Sequence, residues 1–260
     1  MIGAIIGDIA GSRFEFSNTR TERFKLLASD CAFTDDTICT VAIADALMHG
    51  RHYEDALRDW CRRYPKPKGG YGASFSQWLR NSKAGPYWSW GNGAAMRVSA
   101  IPMLSGDFKS CLAYARESAI VSHDHPYGIR GAMVTAGAEF ILYECRAKGK
   151  TVEEAKAAFA DWVGHYYAVM PYQPFSNPFR ETCMNAVPVA ASCLLASESF
   201  EDAIRKAIVV GGDSDTIAAI CGGWAEALYT VPTDLVEKAM TYLPDDIKAL
   251  VEEFYIAAEA

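Results

Sequence analysis

Residues 211–229, GGDSDTIAAICGGWAEALY, carry the reading on which the fold turns. From Ser214 to Tyr229 the stretch is almost wholly apolar and shows no period-two alternation, which predicts a buried helix. Two glycines precede it. Asp213 and Asp215 sit two apart at its start, and Thr216 follows at once. Carboxylates are costly to bury without a partner, so a pair at the mouth of an apolar helix asks for an explanation.

Helical periodicity continues outward from this stretch. It predicts helices over 37–48, closed by His49-Gly50, and over 53–63, 108–121, 129–147, 151–169, 181–196 and 200–209, with a last one from Thr233 to the C-terminus. No sustained Val/Ile/Thr-rich segment of period two is present. The expectation is an all-α, single-domain orthogonal bundle of about ten or more helices over the whole chain, without internal repeats. Two pieces break the pattern. YPKPKGGYGASFSQWLRNSKAGPYWSWGN, residues 64–92, mixes Gly, Pro and aromatics around one short helix near 74–79 and suits a ligand wall. MPYQPFSNPF, residues 170–179, reads as an ordinary packed loop.

A chain of 260 residues that is 50% hydrophobic has ample material for one large core. Its net charge of -7 excludes gripping a nucleic acid polymer by phosphate neutralisation. The carboxylate surplus fits cation binding as well as plain solubility. The opening MIGAIIGDIAGSRFEF has no Lys or Arg ahead of its apolar run, and Asp8 interrupts it, so it does not read as a signal peptide. No uncharged run reaches the roughly 18 residues that span a bilayer. The eight cysteines form no CxxC, so reduced thiols in a cytoplasmic protein are expected, and no zinc site. Without a heptad or a large apolar stripe, a monomer is expected.

FTDDT, residues 33–37, answers GGDSDT from across the sequence. Taken singly, each acidic cluster reads as a helix N-cap. Taken together, they bring four carboxylates and two threonine hydroxyls to two helix starts. If those starts face each other, the cluster repels itself unless a cation is present. One or two Mg²⁺ ions would make it a hard, all-oxygen site, and Mn²⁺ would serve equally. Glu15, between Phe14 and Phe16, is either an acid or base of raised pKa or a solvated edge residue. Asp8 reads as a structural cap or helix partner. In GNGAAMR, residues 91–97, the glycines either let backbone N–H groups cradle a phosphate or make a tight turn. In SHDHPYG, residues 122–128, His123 is a hydrogen-bonding residue near a ligand or a helix-end residue, and Tyr127 stacks on a base or merely packs.

GAIIGDIAGSRFE, FTDDT, GNGAAMR, SHDHPYG and GGDSDTIAAICG stand in the order, and at roughly the separations, of the ADP-ribosylglycohydrolase family. Over about residues 1–232 the sequence resembles that family, and within it the bacterial branch that includes the dinitrogenase-reductase-activating glycohydrolase. The resemblance implies an all-α fold with a dinuclear Mg²⁺ or Mn²⁺ cleft. It implies hydrolysis of the bond between ADP-ribose and a modified protein side chain, arginine first and serine second, with ADP-ribose as product. Carried over, Thr34, Asp35, Asp36, Asp213, Asp215 and Thr216 would be metal ligands. Glu15, Asp36 and Asp215 would be catalytic. Ser89, Gly91, Asn92 and Gly93 would lie along the pyrophosphate and ribose, and His123 and Tyr127 would contact the ligand. Ser214 stands where many members have Thr. Residues 64–92 fall where the family varies most, which makes them the expected adenine clamp. Two rival readings stay open: a module that binds ADP-ribose without cleaving it, and a two-metal hydrolase of another ADP-ribose derivative.

Overall fold

A computed structural model describes residues 1–259. The described residues form helices α1 (Ile2–Gly11), α2 (Asp35–His49), α3 (Tyr53–Arg63), α4 (Ala73–Arg80), α5 (Gly93–Met96), α6 (Ile101–Leu104), α7 (Phe108–Ile120), α8 (Pro126–Ala147), α9 (Val152–Tyr166), α10 (Cys183–Ala196), α11 (Phe200–Val209), α12 (Ser214–Leu228), α13 (Thr233–Met240) and α14 (Asp245–Ala258). Among them no strand forms; one isolated antiparallel bridge joins Gly91 and Thr182. The all-α expectation therefore holds. Among the described residues no helix is long and apolar enough to cross a membrane.

Helix α12 is the centre. Every residue from Ser214 to Leu228 is buried, and α1, α2, α5, α8, α10 and α11 pack around it. Its closest neighbour is α1, also buried along its whole length. The pair is antiparallel, and glycine sets its spacing. A Cβ on Gly3 would lie 2.2 Å from the Gly222 carbonyl oxygen, one on Gly7 1.9 Å from that of Ala218, and one on Gly11 2.5 Å from the Asp215 Cα. Glycine every fourth residue lowers helix propensity but clears one face for backbone-to-backbone contact.

Helix α1 is not legible from periodicity, because a stretch that is apolar all round presents no contrast between faces. Sequence periodicity also runs α13 and α14 together. Pro244 separates them: it supplies no N–H to the preceding turn and stands as the N-cap of α14. The other long helices lie within about three residues of their expected bounds, an ordinary discrepancy at helix ends.

The core encloses an acid that lies against Gly223 of α12. Glu139 on α8 is 1% exposed, neither carboxylate oxygen has a hydrogen-bond partner, and burial holds its pKa well above the ordinary 4.5. An acid whose folded pKa is raised contributes its full stability below the unfolded pKa. That stability is lost as pH rises through the folded value. Glu139→Gln is therefore expected to match the parent near pH 4 and to exceed it in stability at pH 8, by about 1.4 kcal/mol for each pH unit between the unfolded and folded pKa. Urea unfolding at the two pH values checks this, and an unchanged difference between them would refute it.

Candidate active site

Three helix ends meet at one point. The C-terminal part of α1 lies against the N-terminal ends of α2 and α12, brought there by the glycine-spaced α1–α12 contact. Asp8 of α1 is fully buried. It accepts hydrogen bonds from the Thr34 backbone N–H (2.9 Å), the Thr34 hydroxyl (2.7 Å), the Thr37 backbone N–H (3.1 Å) and the Thr37 hydroxyl. It thus ties α1 to the start of α2. The cap of α2 is Thr34, whose hydroxyl oxygen accepts from the Asp36 N–H at 3.2 Å.

These bonds choose between the two readings of the acidic clusters. Capping of α2 is done by Thr34 and Asp8, so neither Asp35 nor Asp36 is used for it. At α12 the N-cap residue is Asp213, yet its side chain makes no cap hydrogen bond. The turn ahead of it is closed by Gly211 and Gly212, whose φ values of +90° and +87° belong to glycine. Asn18 and Asn177 hold that turn from either side. Asn18 Oδ1 accepts from Gly212 N–H at 2.8 Å, and the Asn177 side-chain amide donates to the Gly211 carbonyl at 3.1 Å. The carboxylates are left free to face a cavity.

The cavity is a cleft of about 340 Å³. Asp35, Asp36, Asp213, Asp215 and Thr216 line it, together with Glu15. Carboxylate oxygens of Asp8, Asp36 and Asp215 lie within 4.8 Å of one another, as do those of Glu15, Asp213 and Asp215. The Thr216 hydroxyl donates to Asp36 Oδ2 at 3.2 Å, and Thr34 Oγ1, whose proton goes to Asp8, stands 3.4 Å from the same oxygen. Asn92, one of the sequence-expected ligand residues, donates to Asp213 Oδ2 at 2.6 Å.

Ser89, Gly91, Asn92, Gly93 and His123 line the cleft as well. The Ser89 hydroxyl accepts from Gly91 N–H at 3.1 Å and shapes that turn. Tyr127 is not brought to the cleft. It is 40% exposed, rests against His125 (5.2 Å between ring centroids) and lies under the Arg130 guanidinium. Pro126 opens α8 immediately before it. From residues 64–92, the segment expected to form the adenine clamp, Phe75 and Tyr87 line the cleft. Glu181 also lines it and is a residue the sequence did not single out. The loop of residues 170–179, read as ordinary packing, supplies the Asn177 clamp on the glycine turn.

The electrostatics are those of a site short of positive charge. No Lys or Arg pairs with Asp8, Asp35, Asp36, Asp213 or Asp215 among the described residues. Burial first, and the neighbouring carboxylates second, push Asp36 and Asp215 well above the ordinary range; desolvation likewise raises Asp35 and Asp213. Burial and the nearby Asp213 charge raise Glu15 to about 7. One buried oxygen on each of Asp36, Asp215 and Glu15 has no hydrogen-bond partner. Orphaned oxygens and mutual repulsion within an all-oxygen donor set fit a hard divalent cation. Without one, protons must be retained there.

A family model described as ADP-ribosylglycohydrolase matches residues 1–260. The human protein named ADP-ribosylhydrolase ARH3 is 24% identical, over 96% of this chain and 90% of its own length. Its Xenopus tropicalis counterpart is 25% identical over 88% and 85%. An uncharacterized protein of Archaeoglobus fulgidus is 26% identical over 73% and 69%. Among solved structures, a chain of an "ADP-ribosylglycohydrolase-related protein complex" superimposes with a TM-score of 0.71 at 21% identity, covering 99% of this chain and 97% of that one. That last likeness is one of fold. Relatives from vertebrates and an archaeon do not single out a bacterial branch.

Proposed function

Since the chain belongs to the ADP-ribosylglycohydrolase family, we propose that it releases ADP-ribose from modified protein side chains in a metal-dependent hydrolysis. The linkage is arginine first, with serine as the second substrate. The supporting observation is the convergence of Asp36, Asp213, Asp215 and Glu15 on one cleft with three of their oxygens unpartnered.

Thr34, Asp35, Asp36, Asp213, Asp215 and Thr216 would hold two Mg²⁺ or Mn²⁺ ions. Bound there, such ions supply Lewis acidity and lower the pKa of a coordinated water. Glu15, with a pKa near 7, is poised to take a proton from the attacking water and pass it on, and Asp36 and Asp215 line the same face. Their negative charge stabilises the oxocarbenium-like character that develops at the anomeric carbon. Asn92 orients Asp213 by its 2.6 Å hydrogen bond. The turn Ser89 to Gly93, whose glycines allow close backbone approach, holds the pyrophosphate and ribose with neutral groups. An acidic protein can thus bind an anionic ligand. Tyr127 lies outside the cleft lining, against His125. The protein is proposed to act as a cytoplasmic monomer on an ADP-ribosylated protein.

The test is release of ADP-ribose from two mono-ADP-ribosylated peptides, one arginine-linked and one serine-linked. Each is run with Mg²⁺, with EDTA and with Asp213→Ala. Release from at least one peptide that needs metal and Asp213 is the expected result. ADP-ribose that binds tightly but is never released would make the protein a reader. Release of AMP in place of ADP-ribose would make it a different hydrolase.

A further inference from the structure

Arg97 is 1% exposed, and its charge meets no carboxylate in a salt bridge among the described residues. Its Nη2 donates to the Ser118 carbonyl and, at 3.0 Å, to the Ser122 hydroxyl oxygen. Ser122 is fully buried, and its Oγ lies 2.8 Å from His123 Nδ1. A guanidinium can only donate, so Ser122 Oγ must accept from Arg97. The hydroxyl proton then has one acceptor in reach, His123 Nδ1; pointing anywhere else it would be buried and unsatisfied. A neutral imidazole that accepts at Nδ1 carries its proton on Nε2.

Nε2 lies directly against the glycine turn, and both line the cleft. A Cβ on Gly93 would come within 3.2 Å of it, and one on Gly91 within 3.4 Å. The ring is held in place by Tyr87, 5.6 Å away between centroids, and by the backbone bond from His123 N–H to the Ala119 carbonyl at 2.7 Å. Burial, with the Arg97 charge adding to it, holds the His123 pKa well below 6.5, in keeping with a neutral ring.

We propose that Arg97, acting through Ser122, fixes His123 as an Nε2–H donor aimed over the Gly91–Gly93 turn, where it meets an acceptor oxygen of the ligand diphosphate. Arg97 and Ser122 are positioning residues. A neutral donor recognises that oxygen, and His123 is not a general acid. The name of the ligand rests on the function proposed above; the tautomer does not.

The chain has five histidines, so imidazole ¹⁵N–¹H spectra are tractable, with His123→Gln to assign the signal. The parent protein should show His123 protonated at Nε2 and bare at Nδ1, and the Nε2–H signal should move when ADP-ribose is added. Ser122→Ala should populate the Nδ1–H form and weaken ADP-ribose binding about 5- to 30-fold. In turnover, KM should rise with kcat within about twofold, a split that loss of packing alone would not give. An Nδ1–H tautomer in the parent overturns the proposal even if Ser122→Ala does not fold. So does a Ser122→Ala protein that keeps both the tautomer and the parent affinity. Loss of hydrolysis with the tautomer intact would count against the proposed reaction and leave this inference standing.

Discussion

Asp215→Asn is expected to lower kcat/KM for ADP-ribose release about a thousandfold, roughly 4 kcal/mol of transition-state stabilisation. Asp215 belongs to both groups of converging carboxylates, and one of its oxygens is buried without a partner. The amide keeps the shape and removes the charge. The folded protein should therefore survive, and without metal it should be more stable than the parent at neutral pH. The sign follows from the raised pKa values. Carboxylates whose folded pKa is raised contribute fully below their unfolded pKa and lose that contribution as pH climbs through the folded value. For Glu15 that window runs from the ordinary 4.5 to about 7. In EDTA the parent's Tm should fall between about pH 5 and pH 8, and Mg²⁺ should raise it again, adding about 2.7 kcal/mol of stability at a free concentration a hundredfold above Kd. Asp215→Asn should show a shallower fall and a weaker response to Mg²⁺. Parent-like turnover with normal Mg²⁺ dependence in this variant would place Asp215 outside the chemistry.

Gly7→Ala is expected to be the most damaging conservative substitution for the fold. The new methyl would stand 1.9 Å from the Ala218 carbonyl oxygen, and the obstacle is backbone, not a side chain that can turn away. Helices α1 and α12 would have to separate along their most closely packed stretch. Overpacking in a core commonly costs about 1–3 kcal/mol. Here relief requires moving a fully buried helix, so a loss of at least about 3 kcal/mol is expected, read by urea unfolding. Separation would also shift Asp8 from the start of α2, so any protein that folds should bind Mg²⁺ more weakly. Gly50→Ala makes the comparison: that position has φ +61° but open space around it, so only the modest backbone strain of a left-handed alanine is expected. Equal losses at the two positions would refute the close-packing argument.

The helical class and most helix bounds were legible because amphipathic segments such as α3 and α11 carry their faces in their spacing. Helix α1 was not legible, since a segment buried on all sides has no polar face to announce it. The acidic clusters were visible as clusters. Whether they cap helices or face a cavity was not, because an Asp ahead of a helix looks the same in either case. That was settled by hydrogen bonds reaching across the chain: Asp8 to Thr34 and Thr37, and Asn92 to Asp213. Asn18 and Asn177 carried no signal of their own, and Arg97 and Ser122 stood in the motifs GNGAAMR and SHDHPYG without a role assigned to them. Single polar residues in loops or beside apolar runs acquire a role only from a partner distant in sequence.

By itself, then, the sequence determined most of the elements, the acidic character and the oxygen-rich donor set, since these depend on local propensity and residue type. Tertiary structure decided which oxygens meet, which are left unpartnered, and which way His123 and Tyr127 point. Those properties arise where α1 and α12 close to backbone contact, and that approach depends on the space left by absent side chains at Gly3, Gly7 and Gly11.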